Sequence, residues 1–171
     1  FQRNINLNIA SHWLRENDRY IWLSRSTYSL SLISKLRKNK FSKDKINIFF
    51  PDYFCNEALS LIRRKDISIY FYNVDSSLQP VKSSINKLLT TISPDIIVQV
   101  HYFGEESDTQ YLREISDSCG SWFVEDATHM FLPISSVGLK GDFVLYSQYK
   151  HLPIPEGALL VFHNPDLYQE A

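Results

Sequence analysis

Ser121-Trp122-Phe123-Val124-Glu125-Asp126-Ala127-Thr128-His129 is a short apolar run that ends in two acids, two small residues and a histidine. A second stretch, Tyr146-Ser147-Gln148-Tyr149-Lys150-His151-Leu152-Pro153-Ile154-Pro155-Glu156-Gly157, closes another apolar run with a lysine and a proline-rich turn. Apolar runs this short, bounded by turn residues, read as buried strands. They place an aspartate and a lysine at the ends of two such strands.

Working outward, apolar runs of strand length alternate with segments of helical period. Strands are expected at Tyr20–Leu23, Ile46–Phe50, Ile67–Val74, Asp95–Phe103, Trp122–Glu125, Asp142–Ser147 and Ala158–Phe162. Helical spacing covers Ile9–Arg15, Ser26–Lys38, Asn56–Arg64, Val81–Ile92 and Thr109–Cys119, with a further helix opening at Asn164–Ala171. Near-continuous apolar strands alternating with amphipathic segments predict an α/β fold, a three-layer domain whose mainly parallel sheet carries helices on both faces. No internal repeat or low-complexity linker divides residues 1–171, which read as a single domain.

The composition agrees with that reading. The chain has 171 residues, 44% apolar and 22% charged, with a net charge of −1, an ordinary balance for one globular domain. Basic residues cluster only at Lys35–Lys45 and Arg63–Lys65, with no continuous basic face, so no nucleic-acid partner is expected. Cys55 and Cys119 are far apart and read as free thiols. No stretch approaches the roughly 20 apolar residues of a membrane span, and no signal peptide precedes Phe1, which points to a cytoplasmic protein without a membrane partner. The chain starts without methionine and stops at the opening of a helix, as a piece of a longer protein would.

In open α/β sheets, ligands gather at the carboxyl ends of the strands. Those ends carry Ser24-Arg25-Ser26-Thr27, Pro51-Asp52-Tyr53-Phe54-Cys55, His101-Tyr102-Phe103-Gly104, Glu125 to His129, and Ser147 to Lys150. Each segment also has a plainer reading. Ser24–Thr27 can cap a helix or hold a phosphate. Tyr53 and Phe54 can be core or a stacking platform, and His101 alone reads as a satisfied buried histidine. Asp126 can be a cap, yet a carboxylate at a buried strand end is costly unless paired. Lys150 can be a surface amine, or desolvation between strand and prolines can favour nucleophilic use. Ser147-x-x-Lys150 resembles the S-x-x-K element of penicillin-recognising enzymes, but the prolines forbid the helix that element needs. No cysteine–histidine pattern suggests zinc, and no metal is expected. Pyridoxal phosphate chemistry requires the pair at hand: an anion opposite the pyridinium nitrogen and an amine for the Schiff base.

Taken together, these segments resemble the DegT/DnrJ/StrS sugar aminotransferases, of the fold-type I pyridoxal phosphate enzymes. The likeness runs from about Trp22 to His163 and rests on Ser24–Leu30, Phe50–Cys55, Val100–Gly104, Glu125–His129, Gly141–Phe143 and Ser147–Gly157. The resemblance implies that Lys150 is the catalytic lysine bonded to pyridoxal 5′-phosphate and that Asp126 pairs with the pyridine nitrogen. It implies that His129 lies near the cofactor's O3′, where the family has Gln or His. Ser147, Arg25 and Ser26 would hold the phosphate, and Tyr53 or Phe54 would cover the ring. It further implies a homodimer that transfers an amino group, usually from glutamate, to a nucleotide-linked keto sugar for surface polysaccharides or sugar metabolites. The serine-to-lysine spacing is shorter than the commonest family pattern and matches an S-x-x-K-x-x-P-x-P-x-G subset, and Gly157-Ala158 stands where a glycine pair is usual. The chain reads as the large-domain portion, lacking the small C-terminal domain. Two other readings stay open: another fold-type I enzyme such as a dehydratase or lyase, and a degenerate, non-catalytic relative that serves as a binding module.

Overall fold

The computed structural model describes residues 8–134 and 136–171. Seven strands form one sheet: β1 (Arg19–Leu23), β2 (Ile46–Pro51), β3 (Ile67–Tyr72), β4 (Ile96–Val100), β5 (Trp122–Asp126), β6 (Phe143–Tyr146) and β7 (Ala158–Phe162). Their order is β1-β7-β6-β5-β4-β2-β3. β3, β2, β4, β5 and β6 pair in parallel, while β7 runs antiparallel to both β6 and β1. The connection from Tyr146 to Ala158 is too short for the helical crossover that a parallel pair needs, and so the chain turns back on itself there. Lys150 lies in that turn.

Helices cover both faces, as the alternating pattern predicts. On one face α1 (Thr27–Lys40) packs Leu30, Ile33 and Leu36 against Ile48, Phe50, Val98, Val124 and Leu145, joined by Leu167 of α4 (Pro165–Gln169). On the other, α2 (Lys82–Leu89) and α3 (Gln110–Cys119) set Ile85, Leu112 and Ile115 against Phe49, Ile97 and Phe123. A 3-10 turn, Ile9–Trp13, stands where the sequence predicts a helix and covers Val144, Leu159 and Val161 with Ala10 and Trp13. Asn56–Arg64 also departs from expectation: it forms a 3-10 turn at Glu57–Leu59 followed by further turns. Its buried Leu59 and Ile62 lie three residues apart, a spacing that 3-10 geometry satisfies as well as an α-helix does.

Period-two alternation in β5 separates two neighbouring acids. Trp122 and Val124 face α1, and Phe123 faces α3. Asp126 therefore falls on the α1 side and Glu125 on the other. Glu125 is fully buried and accepts four hydrogen bonds: from Gly138 N (2.7 Å), Lys140 N (2.7 Å), Gly141 N (2.5 Å) and His101 Nε2 (2.9 Å). His101 Nδ1 accepts from Ser107 N at 3.1 Å, which leaves the ring proton on Nε2, facing the carboxylate. The expected satisfied buried histidine is found. Two glycines make the wrap possible: Gly138 has φ of 76°, and a Cβ on Gly141 would lie 2.5 Å from Phe143 O. Burial pushes the Glu125 carboxyl up, but His101 and the backbone donors outweigh it and hold it below its ordinary value.

At the opposite, N-terminal edge of the sheet, Asp95 collects cations. Its Oδ1 faces Lys43 Nζ and lies 3.6 Å from Arg37 Nε, and its Oδ2 accepts from Asn47 N at 2.9 Å. Arg37 is buried, donates to Gly120 O at 2.8 Å and packs its guanidinium 4.0 Å from the Phe41 ring centroid. The basic cluster on α1 and after it is thus largely tied to carboxylates, with Lys38 on Asp66 and Lys40 on Glu170. No helix among the described residues is long and apolar enough to cross a membrane.

Two stability predictions follow from these carboxylates. Glu125→Gln places an NH2 group among N–H donors and should destabilise the fold by about 2–4 kcal/mol at pH 7 in urea melts. The depressed Glu125 stabilises fully above its unfolded pKa of about 4.3 and loses that contribution as pH falls through the lower folded value, so the deficit should shrink in acid. Asp95→Asn strands Arg37 and should cost about 3–5 kcal/mol, most of it recovered when Arg37→Met is added.

Candidate functional site

A cavity of about 660 Å³ opens at the carboxyl edge of the parallel strands, on the α1 side. The topology explains why side chains distant in sequence meet there. β5 delivers Asp126, the turn after β6 delivers Tyr149 and Lys150, and β1, parallel to the central strands, delivers Arg25, Ser26 and Thr27 at the start of α1. The loop after β2 brings Tyr53, Phe54 and Cys55, and the loop after β4 brings Tyr102 and Phe103. His129, just beyond β5, completes the wall.

Asp126 is buried with its Oδ1 accepting from Thr128 N at 3.0 Å, an Asx-type turn that aims the carboxylate away from the strand. Thr128 Oγ1 accepts from Lys150 Nζ at 3.2 Å. One threonine therefore links the acid and the amine. Lys150 is exposed rather than desolvated as the sequence suggested, because the proline-rich turn carries it to the rim. Arg25 lies with its guanidinium 4.1 Å from the Tyr149 ring centroid, beside the first turn of α1. Among the described residues Ser26, at the N-cap of α1, makes no side-chain capping bond.

The two aromatic candidates part company. Phe54 tilts against Phe50 at 4.7 Å between centroids and leans on the core, whereas Tyr53 is exposed and packs on Tyr102 at 5.5 Å. Burial pushes the Tyr102 phenol well above its ordinary value, and it donates to Tyr53 O. His129 Nδ1 accepts from Phe103 N at 3.3 Å. Burial and the nearby Lys150 charge lower the His129 pKa, which favours the neutral ring.

Of the eight residues expected from the sequence, seven line this cavity: Lys150, Asp126, His129, Arg25, Ser26, Tyr53 and Phe54. Ser147 does not. Its hydroxyl is fully buried and has no hydrogen-bond partner among the described residues, as is true of both amide atoms of Gln148 beside it. Thr128 and Tyr149 also line the cavity, with no role assigned to them from the sequence. The aspartate two residues before Thr128 was the available signal, since that spacing builds an Asx turn. Among the described residues no group of three or more His, Cys, Asp or Glu is placed to hold a metal ion.

Comparison with known proteins follows the same geometry. The sequence matches none of the curated proteins. Among solved structures the chain is similar to the aminotransferase TlmJ from Streptoalloteichus hindustanus, at 20% identity and a TM-score of 0.71, covering 88% of this chain and 42% of that one. It is similar to Helicobacter pylori PseC, an aminotransferase involved in the biosynthesis of pseudoaminic acid, at 15% identity and 0.74, covering 95% and 44%. NtdA from Bacillus subtilis, solved with bound cofactor PMP, gives 15% and 0.70, covering 88% and 34%. These likenesses bear on the fold, and the chain spans less than half the length of each of the three. Residues 56–171, more than half the chain, match the DegT/DnrJ/EryC1/StrS aminotransferases, and the protein belongs to that family, whose cofactor is pyridoxal 5′-phosphate.

Proposed function

We propose that this chain is the cofactor-holding portion of a pyridoxal phosphate aminotransferase that acts on a nucleotide-linked keto sugar. The observation that carries the reading is the meeting of Asp126 and Lys150 in one cavity, joined through Thr128. A buried acid and an exposed primary amine are the donor set this cofactor needs, and the uncapped first turn of α1 offers N–H groups that a phosphate would satisfy.

When bound, the cofactor supplies a conjugated ring that draws electron density from the bonds at a substrate's nitrogen-bearing carbon. The chain's own residues do the rest. Asp126 holds a proton on the ring nitrogen by charge-assisted hydrogen bonding. Lys150 is the covalent attachment point, and its amine afterwards takes a proton from one carbon and returns it to another. Its exposed position, with a single weak bond to Thr128, leaves it free to swing between those duties. Arg25, Ser26 and the N-terminus of α1 would hold the phosphate. Tyr53 or Phe54 covers the ring, and His129 lies at its phenolic oxygen. Glutamate is the proposed amino donor, and a homodimer with sites at the subunit interface is the proposed assembly. The sugar reading draws on the family and on neighbours such as PseC; another is the GDP-4-keto-6-deoxymannose-3-dehydratase ColD, at 14% identity. The dehydratase alternative is disfavoured by Lys150, because sugar dehydratases of this type carry histidine there.

Adding pyridoxal phosphate to the purified chain should produce a visible absorption band. Borohydride should then fix the cofactor on the peptide that carries Lys150, as read by mass spectrometry. Lys150→Ala should abolish fixation, and Asp126→Asn should weaken binding about 10- to 100-fold through loss of a charge-assisted bond. A wild-type chain with neither band nor adduct would sink this reading and favour the non-catalytic relative.

A further inference from the structure

Phe103 departs from every local expectation for a bulky residue. It is 66% exposed yet adopts a left-handed conformation, φ 52° and ψ 27°, in the loop after β4. Such a conformation is strongly disfavoured for a residue with a side chain of this size. The following Gly104 has φ of 86°, so the chain makes two positive-φ steps in succession where one glycine would bear the strain alone. Strain of this kind persists only where surrounding contacts enforce it, and it gathers at functional sites.

Beside its packing on Tyr102, Phe103 makes two contacts that end on one side chain. The Phe103 amide donates to His129 Nδ1 at 3.3 Å, and the Phe103 ring stacks on the His129 ring with centroids 5.5 Å apart and planes 25° from parallel. Tyr102 closes a third side of the imidazole at 6.4 Å. An N–H donor at Nδ1 requires a lone pair there, so in the neutral ring the proton sits on Nε2. Relaxing Phe103 to an ordinary φ would swing its ring off the imidazole while its amide stayed in the plane shared with Tyr102.

We propose that Phe103 is the positioning residue for His129: its strained backbone amide fixes the Nε2–H tautomer, and its ring holds the imidazole plane, so that His129 presents a hydrogen-bond donor to the cavity. The role for that donor rests on the proposed cofactor reading, in which it meets the phenolic oxygen of the bound ring. The tautomer and the strained loop do not depend on it. The groups that face His129 from the surrounding elements are Lys150, Asp126 and His151, and a neutral ring among them acts as a directional donor rather than as a charge. A glutamine could replace the histidine in this arrangement, with its carbonyl accepting from the Phe103 amide and its NH2 facing the cavity.

Long-range proton–nitrogen correlation spectra of the cofactor-free protein test the proposal directly, with His129 assigned by its loss in His129→Gln. At a pH where His129 is neutral, the expected result is one tautomer, with Nε2 protonated and Nδ1 bare. A ring protonated on Nδ1, or an even mixture, overturns the proposal. Amide exchange supplies the second readout. Exchange of the Phe103 amide should quicken about threefold to tenfold in His129→Leu, the worth of one neutral hydrogen bond, and stay near wild type in His129→Gln. Equal exchange in all three proteins also overturns it. With pyridoxal phosphate added, Phe103→Ala keeps the amide but loses the ring, and should weaken cofactor binding severalfold while the visible band still forms. Unchanged affinity refutes the role of the ring. Should wild type form no band, it is the cofactor reading that fails, and the tautomer and exchange results still decide the positioning claim.

Discussion

The site depends on a buried carboxylate that never touches it. Glu125 faces away from the cavity, yet its two oxygens gather the backbone of residues 138–141 and the imidazole of His101. A fully buried carboxylate without partners is among the most costly groups a fold can hold, and four donors turn that cost into a constraint. The constraint fixes the ends of β4 and β5 relative to each other and anchors the long loop that leads to β6. His163 donates to Gly138 O on the same loop and contacts Asp18, while Arg15 donates to Leu139 O, so the segment before β1 is tied in as well. With the ends of β4, β5 and β6 set in this way, Asp126 has one place to point. Adjacent residues in a strand face opposite sides, and anchoring Glu125 on one face presents Asp126 on the other.

Charge is arranged along the sheet with similar economy. At the amino edge, Asp95 neutralises Arg37 and Lys43, and Asp142 pairs with Arg113 while accepting from Phe123 N at 2.7 Å. These pairs tie α1 and α3 to the amino ends of β4 and β6. At the carboxyl edge, among the described residues, Asp126 shares its oxygens with one backbone donor, Arg25 lies over an aromatic ring, and Lys150 donates to the Thr128 hydroxyl. Ionic groups with spare bonding capacity line the cavity at the carboxyl edge, whereas each of these amino-edge carboxylates is paired with a cation. That asymmetry separates a binding site from a scaffold.

Much of this was legible in the sequence, for identifiable reasons. Strands covered on both faces are near-continuously apolar, so Ile46–Phe50, Trp122–Glu125 and Ala158–Phe162 stood out, and the last was found with its observed limits. The ends of the strands expected at Tyr20–Leu23, Ile46–Phe50, Trp122–Glu125 and Asp142–Ser147 held seven of the eight expected cavity residues. Direction was harder, because every residue of β7 is buried and such a run reads alike in either sense. Only the shortness of the Tyr146–Ala158 connection carries the antiparallel information. Asn56–Arg64 misled because an apolar pair three apart suits two helical geometries. Ser147 misled because a position in a motif does not specify which way a side chain faces. Phe103 was invisible for a deeper reason: an aromatic residue in a left-handed turn contradicts local propensity, and tertiary contacts alone put it there.

The unlike burial of Asp126 and Lys150 suits the roles proposed for them. An acid that pairs with one fixed atom gains from a rigid, enclosed position, where a hydrogen bond is electrostatically stronger and no rearrangement accompanies the reaction. An amine that attaches, detaches and carries a proton gains from the reverse. It needs a short tether, few competing bonds and room to swing. β5, flanked by neighbours on both sides, provides the first environment, and the proline-braced turn between β6 and β7 provides the second. Thr128 spans the two, its amide serving the acid and its hydroxyl the amine. A single residue thus sets their separation while leaving each its own mobility, which a direct ion pair between Asp126 and Lys150 would have removed.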